Sequence, residues 1–185
     1  MTSRPAIFLD RDGTLNEEVD YLHKPEELVL IPGAAQAVAR LNARGIPVVV
    51  VTNQSGIGRG YFGFKEFDEI TARMSELLAQ AGAHLDMVCV APHHEMGQGE
   101  FAHPDHPERK PNAGMLIRAA QEHGLDLSRS WMIGDKESDL EAGRRAGCHV
   151  ALVRTGYGKS VDGSLADLEA VDLPEAVDRI LENWI

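Results

Sequence analysis

Three short apolar runs, Ile7-Phe8-Leu9, Val48-Val49-Val50-Val51 and Trp131-Met132-Ile133, each stop abruptly at a polar set. Continuous runs of this length read as strands buried on both faces, the mark of a parallel sheet. The segments between them space their apolar residues mostly three or four apart, as at Phe64, Phe67, Ile70, Met74, Leu77 and Leu78. That spacing reads as helices burying one face. Strands are expected over 5–10, 46–51, 87–90, 130–133 and 149–153. Helices are expected from Gly33 to near Gly45 and over 64–81, 112–123, 137–146 and 174–184.

The alternation predicts an α/β fold, a Rossmann-like parallel sheet with helices on both faces. The 185 residues fit one domain, 1–185, with a sizeable core. The intervals 13–32 and 92–108 are long enough only for loops, so no large cap domain is expected.

In an open α/β sheet the carboxyl ends of the strands face one crevice, where ligands bind. The polar sets should therefore meet there. Asp10-Arg11-Asp12-Gly13-Thr14-Leu15-Asn16 puts two carboxylates two residues apart, with Gly13 free to turn the chain. One Asp of such a pair can attack as a nucleophile while the other moves a proton. A turn whose acidic residues cap the next segment of chain reads this stretch alone equally well. Thr52-Asn53-Gln54-Ser55-Gly56-Ile57-Gly58-Arg59-Gly60, Arg109-Lys110-Pro111 and Gly134-Asp135-Lys136-Glu137-Ser138-Asp139 bring hydroxyl, cation and carboxylate to the same crevice. Taken singly, Thr52 is an ordinary strand-end hydroxyl, and Lys110 and Arg59 are surface cations.

Together, Asp-x-Asp-Gly-Thr, the strand-final Thr52, Lys110 before a helix and Gly-Asp-x-x-x-Asp resemble the four motifs of the haloacid dehalogenase-like phosphohydrolases, in that family's order. The longer stretches around them are similar to one branch, the D-glycero-D-manno-heptose 1,7-bisphosphate 7-phosphatases and the histidinol-phosphate phosphatases. The resemblance implies a phosphomonoesterase working through an aspartyl-phosphate on Asp10. It implies Mg2+ held by Asp10, the backbone carbonyl of Asp12, and Asp135. The Asp12 side chain would protonate the leaving alkoxide and then deprotonate water, while Thr52 and Lys110 bind the transferring phosphoryl oxygens. Substrate contacts are expected from Thr52, Asn53, Gln54, Ser55, Arg59, Arg109 and Lys136. Asp139 is expected to orient a neighbour or cap the helix that begins beside it. The heptose-type activity is preferred, with histidinol-phosphate hydrolysis as the near alternative. A receiver-like phospho-Asp signalling module is a rival from another class, disfavoured because Asp12 would shorten the phosphorylated state.

The chain departs from the branch in one place. Many members carry a zinc site written Cys-x-His and Cys-x-Cys before Arg-Lys-Pro; here the positions read Ala91-Pro92-His93 and His106-Pro107-Glu108. A replacement zinc site on His93, His103 and His106 is the alternative to solvated loop histidines, which is the preferred reading.

A net charge of −11 disfavours nucleic-acid and membrane-surface partners, which select basic patches. The expected partner is a small phosphorylated metabolite, and the expected state a monomer. Cys89 and Cys148 fall in strand patterns and read as buried thiols rather than a disulfide framework. Met1-Thr2-Ser3-Arg4-Pro5 shows no signal-peptide pattern, so the cytoplasm is the expected compartment.

Overall fold

The computed structural model describes residues 3–184. Met1 and Thr2 of the N-terminal lead, and Ile185 at the end of the expected domain, lie outside the described residues. Six parallel strands form one sheet: β1 (Ile7–Leu9), β2 (Val48–Asn53), β3 (Met87–Ala91), β4 (Trp131–Gly134), β5 (His149–Val153) and β6 (Leu168–Ala170). Their order across the sheet is β3-β2-β1-β4-β5-β6. The chain fills one half outward from β1, then crosses to begin the other half at β4. The switch point therefore lies between β1 and β4.

The helices are α1 (Ala34–Ala43), α2 (Ser55–Gly58), α3 (Phe64–Ala79), α4 (Gly114–His123), α5 (Glu137–Ala146) and α6 (Leu173–Glu182). Strand side chains alternate between the two faces. Ile7, Leu9, Val48, Val50 and Ile133 meet α1, α3 and α6 on one face through residues such as Leu41, Met74 and Ile180. Phe8, Val49, Val51, Met132 and Leu152 meet α4 and α5 on the other through Met115, Leu116 and Leu140. Both cysteines are free and buried; burial pushes the Cys89 thiol up to about 11 and the Cys148 thiol to about 12.

Both long excursions hold only short structure, as expected. The first contains a turn of 3-10 helix at Pro25–Glu27, and buries Leu15, Leu22, Leu28 and Ile31 in the core. The second contains a similar turn at Gly99–Phe101. The β6 strand is an addition to the expected set: its three residues, one of them the exposed Glu169, are too few to show a pattern. The loop after β2 likewise contains the single turn of α2. Helix α4 begins at Gly114 rather than 112 because Asn112 closes a turn onto the Arg109 carbonyl.

Candidate functional site

Asp10 follows β1 directly, and its N–H continues the ladder to the Ile133 carbonyl at 3.0 Å. Asp135 stands at the matching end of the neighbouring β4. The first turn of α5 adds Asp139. Oxygens of Asp10, Asp135 and Asp139 lie within 4.8 Å of one another, and all three residues are buried. Among the described residues no other group of three His, Cys, Asp or Glu has its ligand atoms so close.

Lys110 is the cation set into this cluster. Its Nζ is 2.7 Å from Asp10 Oδ1 and 2.7 Å from Asp139 Oδ1, and donates to the Val51 carbonyl at 2.8 Å. Burial favours loss of its proton, but the two carboxylates outweigh that and raise its pKa. Asn53 fixes the backbone here: its Oδ1 accepts from Lys110 N–H at 3.0 Å and its Nδ2 donates to the Lys110 carbonyl at 2.9 Å. Asp139 also accepts from the Lys136 N–H at 3.0 Å, capping α5. Capping and orienting, the roles expected of Asp139, are both present.

Asp135 is shaped for a cation. One oxygen, Oδ2, accepts the Tyr157 N–H at 2.8 Å; the other, Oδ1, is buried with no hydrogen-bond partner. Burial first, then the charges of Asp10 and Asp139, push its pKa up to about 8. Two glycines make room for it. A Cβ on Gly13, at φ +88°, would stand 2.3 Å from Oδ2, and one on Gly156, at φ +51°, would stand 2.2 Å from it. An orphaned oxygen among crowded carboxylates suits a hard divalent cation with oxygen ligands.

Asp12 is treated differently. Its carboxylate accepts from Arg11, from Asn16 Nδ2 at 3.0 Å and from Gln54 Nε2 at 2.7 Å. Burial works to raise its pKa, but the Arg11 charge and these bonds win, and the net shift is downward. Gln54 also donates to Thr52 Oγ1 at 2.9 Å, tying the two motifs together. A cleft of about 150 Å³ opens here, lined among others by Asp12, Asn53, Gln54, Ser55 and Lys136. Lys136 Nζ pairs with Glu18 at 2.9 Å; Asp10, Asp135 and Glu18 raise its pKa against the opposing effect of burial.

Arg59 and Arg109 do not line that cleft. Arg59 lies over the rings of Tyr21 and Tyr61, and donates to the Tyr21 hydroxyl at 2.5 Å. Arg109 is half-buried and donates to the His93 carbonyl at 2.7 Å. Asn53 and Gln54, expected on the substrate, spend their amides on Lys110, Asp12 and Thr52. The Thr155-Gly156-Tyr157 turn against Asp135 lies outside the sequence motifs. The rule that strand ends face the crevice finds it only when extended to β5.

A haloacid dehalogenase-like hydrolase family model matches residues 6–144. The chain belongs to the haloacid dehalogenase-like hydrolases. Within the family it is 54% identical over 162 residues to a protein of Mesorhizobium japonicum named D-glycero-beta-D-manno-heptose-1,7-bisphosphate 7-phosphatase, covering 88% of this chain and 71% of that one. A D-glycero-D-manno-heptose-1,7-bisphosphate 7-phosphatase of Thermosynechococcus vestitus is 47% identical, with 96% and 95% covered. The crystal structure of D,D-heptose 1,7-bisphosphate phosphatase from B. bronchiseptica, complexed with magnesium and phosphate, superposes with a TM-score of 0.87 at 34% identity, covering 97% of this chain and 99% of that one.

The histidine alternative for zinc gains no support from this family member's loop. The rings of His93 and His106 stack face to face at 3.4 Å and 6°, so their in-plane lone pairs run parallel rather than converging. His106 Nδ1 is taken by the Glu108 N–H at 3.2 Å. His93, His103 and His106 do not form a metal-ligand group among the described residues.

Proposed function

We propose that the chain is a magnesium-dependent phosphomonoesterase that removes the 7-phosphate of D-glycero-D-manno-heptose 1,7-bisphosphate. The observation that carries this reading is the meeting of the Asp10, Asp135 and Asp139 oxygens within 4.8 Å of one another, with Lys110 paired to Asp10 and Asp139, beside an Asp12 free of that cluster. The substrate class rests on the names of the relatives.

Mg2+ would be held by Asp10, the Asp12 carbonyl and Asp135, and would supply charge neutralisation between the entering phosphate and the carboxylates. A carboxylate oxygen of Asp10 attacks phosphorus, and the bond from phosphorus to the substrate oxygen breaks. The entering phosphate dianion repels the Asp12 carboxylate and favours its protonation by solvent water, and Asp12 passes that proton to the departing oxygen. It then takes a proton from water, which attacks the aspartyl-phosphate; phosphate leaves and Asp10 is regenerated. Lys110 Nζ and Thr52 Oγ1 hold phosphoryl oxygens as charge builds on them. Lys136 and Ser55 border the cleft where substrate hydroxyls would lie; Arg59 and Arg109 are the outlying cations available to a second phosphate. The test is hydrolysis of the bisphosphate with and without magnesium, with release of the 7-phosphate and retention of the 1-phosphate as the supporting result. No turnover at all, or release of the 1-phosphate first, contradicts it.

A further inference from the structure

Arg11 is 1% exposed, although it stands between two carboxylates proposed to react. Its Nε donates to both Asp12 oxygens, at 3.0 and 3.1 Å, and its Nη2 to Oδ2 at 2.9 Å. The Phe67 ring lies 5.8 Å from its guanidinium carbon, and its buried Nη1 has no hydrogen-bond partner. The Arg11 side chain donates to Asp12 and, among the described residues, to no other group. Whatever Arg11 does for the chemistry, it does through Asp12.

A buried guanidinium is a costly way to fill space. Desolvation opposes it, one donor here goes unmatched, and an apolar side chain of similar volume would avoid both penalties. What the guanidinium offers instead is its flat fork, which holds a carboxylate in a fixed plane. A carboxylate that delivers and then collects a proton needs that restraint, because rotation about its last bond swings both oxygens away from the line of transfer. Asn16 and Gln54 each hold one oxygen by a single bond; only Arg11 grips both.

We propose that Arg11 is a positioning residue that fixes the plane of the Asp12 carboxylate for proton transfer. This rests on the role given to Asp12 above, and deepens it. An alkyl phosphate such as the heptose ester needs a proton on its leaving oxygen, whereas p-nitrophenyl phosphate does not. The ratio kcat/KM reports the steps up to departure of the alcohol, so it isolates that proton.

The test compares Arg11→Met and Arg11→Lys on both esters, alone and in an Asp12→Asn background. Arg11→Met should lower kcat/KM on the heptose bisphosphate by roughly 10–100-fold, part of the ~10²–10⁴ that a proton-transfer group supplies, and on p-nitrophenyl phosphate by no more than about threefold. Arg11→Lys should recover part of the loss. In the Asp12→Asn background Arg11→Met should cost nothing further on the heptose ester. Equal losses on both esters, or an undiminished loss without the Asp12 carboxylate, overturn the proposal. So does failure of both variants to reach a native near-ultraviolet circular dichroism spectrum, which would make Arg11 a residue of the fold. A wild-type chain that hydrolyses neither ester defeats the proposed function itself, a separate result.

Discussion

Lys110 Nζ sits 2.7 Å from Asp10 and 2.7 Å from Asp139, joining residues from three distant parts of the chain. All three side chains are almost wholly buried, so this cation neutralises charge that water cannot reach. Lys110→Met leaves Asp10 and Asp139 facing each other without it. Breaking a buried pair by removing one partner costs about 3–5 kcal/mol. Urea unfolding of the metal-free protein at neutral pH should show a loss of that order, together with loss of turnover. A variant as stable as the wild type would mean that the pair adds nothing to the fold.

Asp10→Asn should abolish turnover while the fold survives, because an amide oxygen does not attack phosphorus. Asp12→Asn should lower kcat on alkyl phosphates by ~10²–10⁴-fold. Steady-state rates of both purified variants, with circular dichroism as the folding control, check this. Near-normal kcat in either one contradicts the assigned roles.

The metal-free protein should lose stability as pH rises. Asp135 keeps its proton up to about 8 because burial and the charges of Asp10 and Asp139 disfavour the carboxylate. In the unfolded chain an Asp ionises near about 3.9. The folded chain therefore binds more protons than the unfolded one between these values, and stability falls as pH climbs through the window. The upward shift of Asp139 acts in the same sense. Magnesium favours the ionised carboxylates, so its stabilising effect should grow over the same range. Thermal melts stepped from about pH 7 to about pH 8, above the range where the lowered pKa values of His93 and His94 act in the opposite sense, test both trends in EDTA and in magnesium. A Tm in EDTA that rises with pH contradicts the carboxylate cluster.

Arg109→Ala should weaken kcat/KM for the heptose bisphosphate by about 1.5–3 kcal/mol, the scale of a hydrogen bond to a charged group. The loss on p-nitrophenyl phosphate should be far smaller. Arg109 is tied to the His93 carbonyl and stands outside the cleft wall, so a second phosphate must reach toward it. Equal losses on the two substrates would make Arg109 a support for the loop instead.

Much of this arrangement is legible in the sequence because strand ends are easy to read and parallel strands all point one way. Asp10 and Asp135 directly follow β1 and β4, Thr52 is the penultimate residue of β2, and the topology brings those ends together whatever the helices do. Lys110 is placed by its position before α4. What escapes depends on side-chain direction, which spacing does not encode. Asn53 and Gln54 turn inward to brace Lys110 and Asp12; Arg11 folds back onto its own neighbour; Gly156 approaches Asp135 from a loop with no recognisable pattern. The short β6 escapes for a simpler reason, having too few residues to alternate.

The most direct test of the account is a side-by-side measurement of kcat/KM for D-glycero-D-manno-heptose 1,7-bisphosphate and histidinol phosphate, in magnesium and after its removal with EDTA. The account predicts magnesium-dependent turnover with a preference for the heptose bisphosphate of at least about a hundredfold, the discrimination expected when one substrate pairs cations that the other leaves unmatched. Turnover that persists without divalent cations, or a preference for histidinol phosphate, would contradict it.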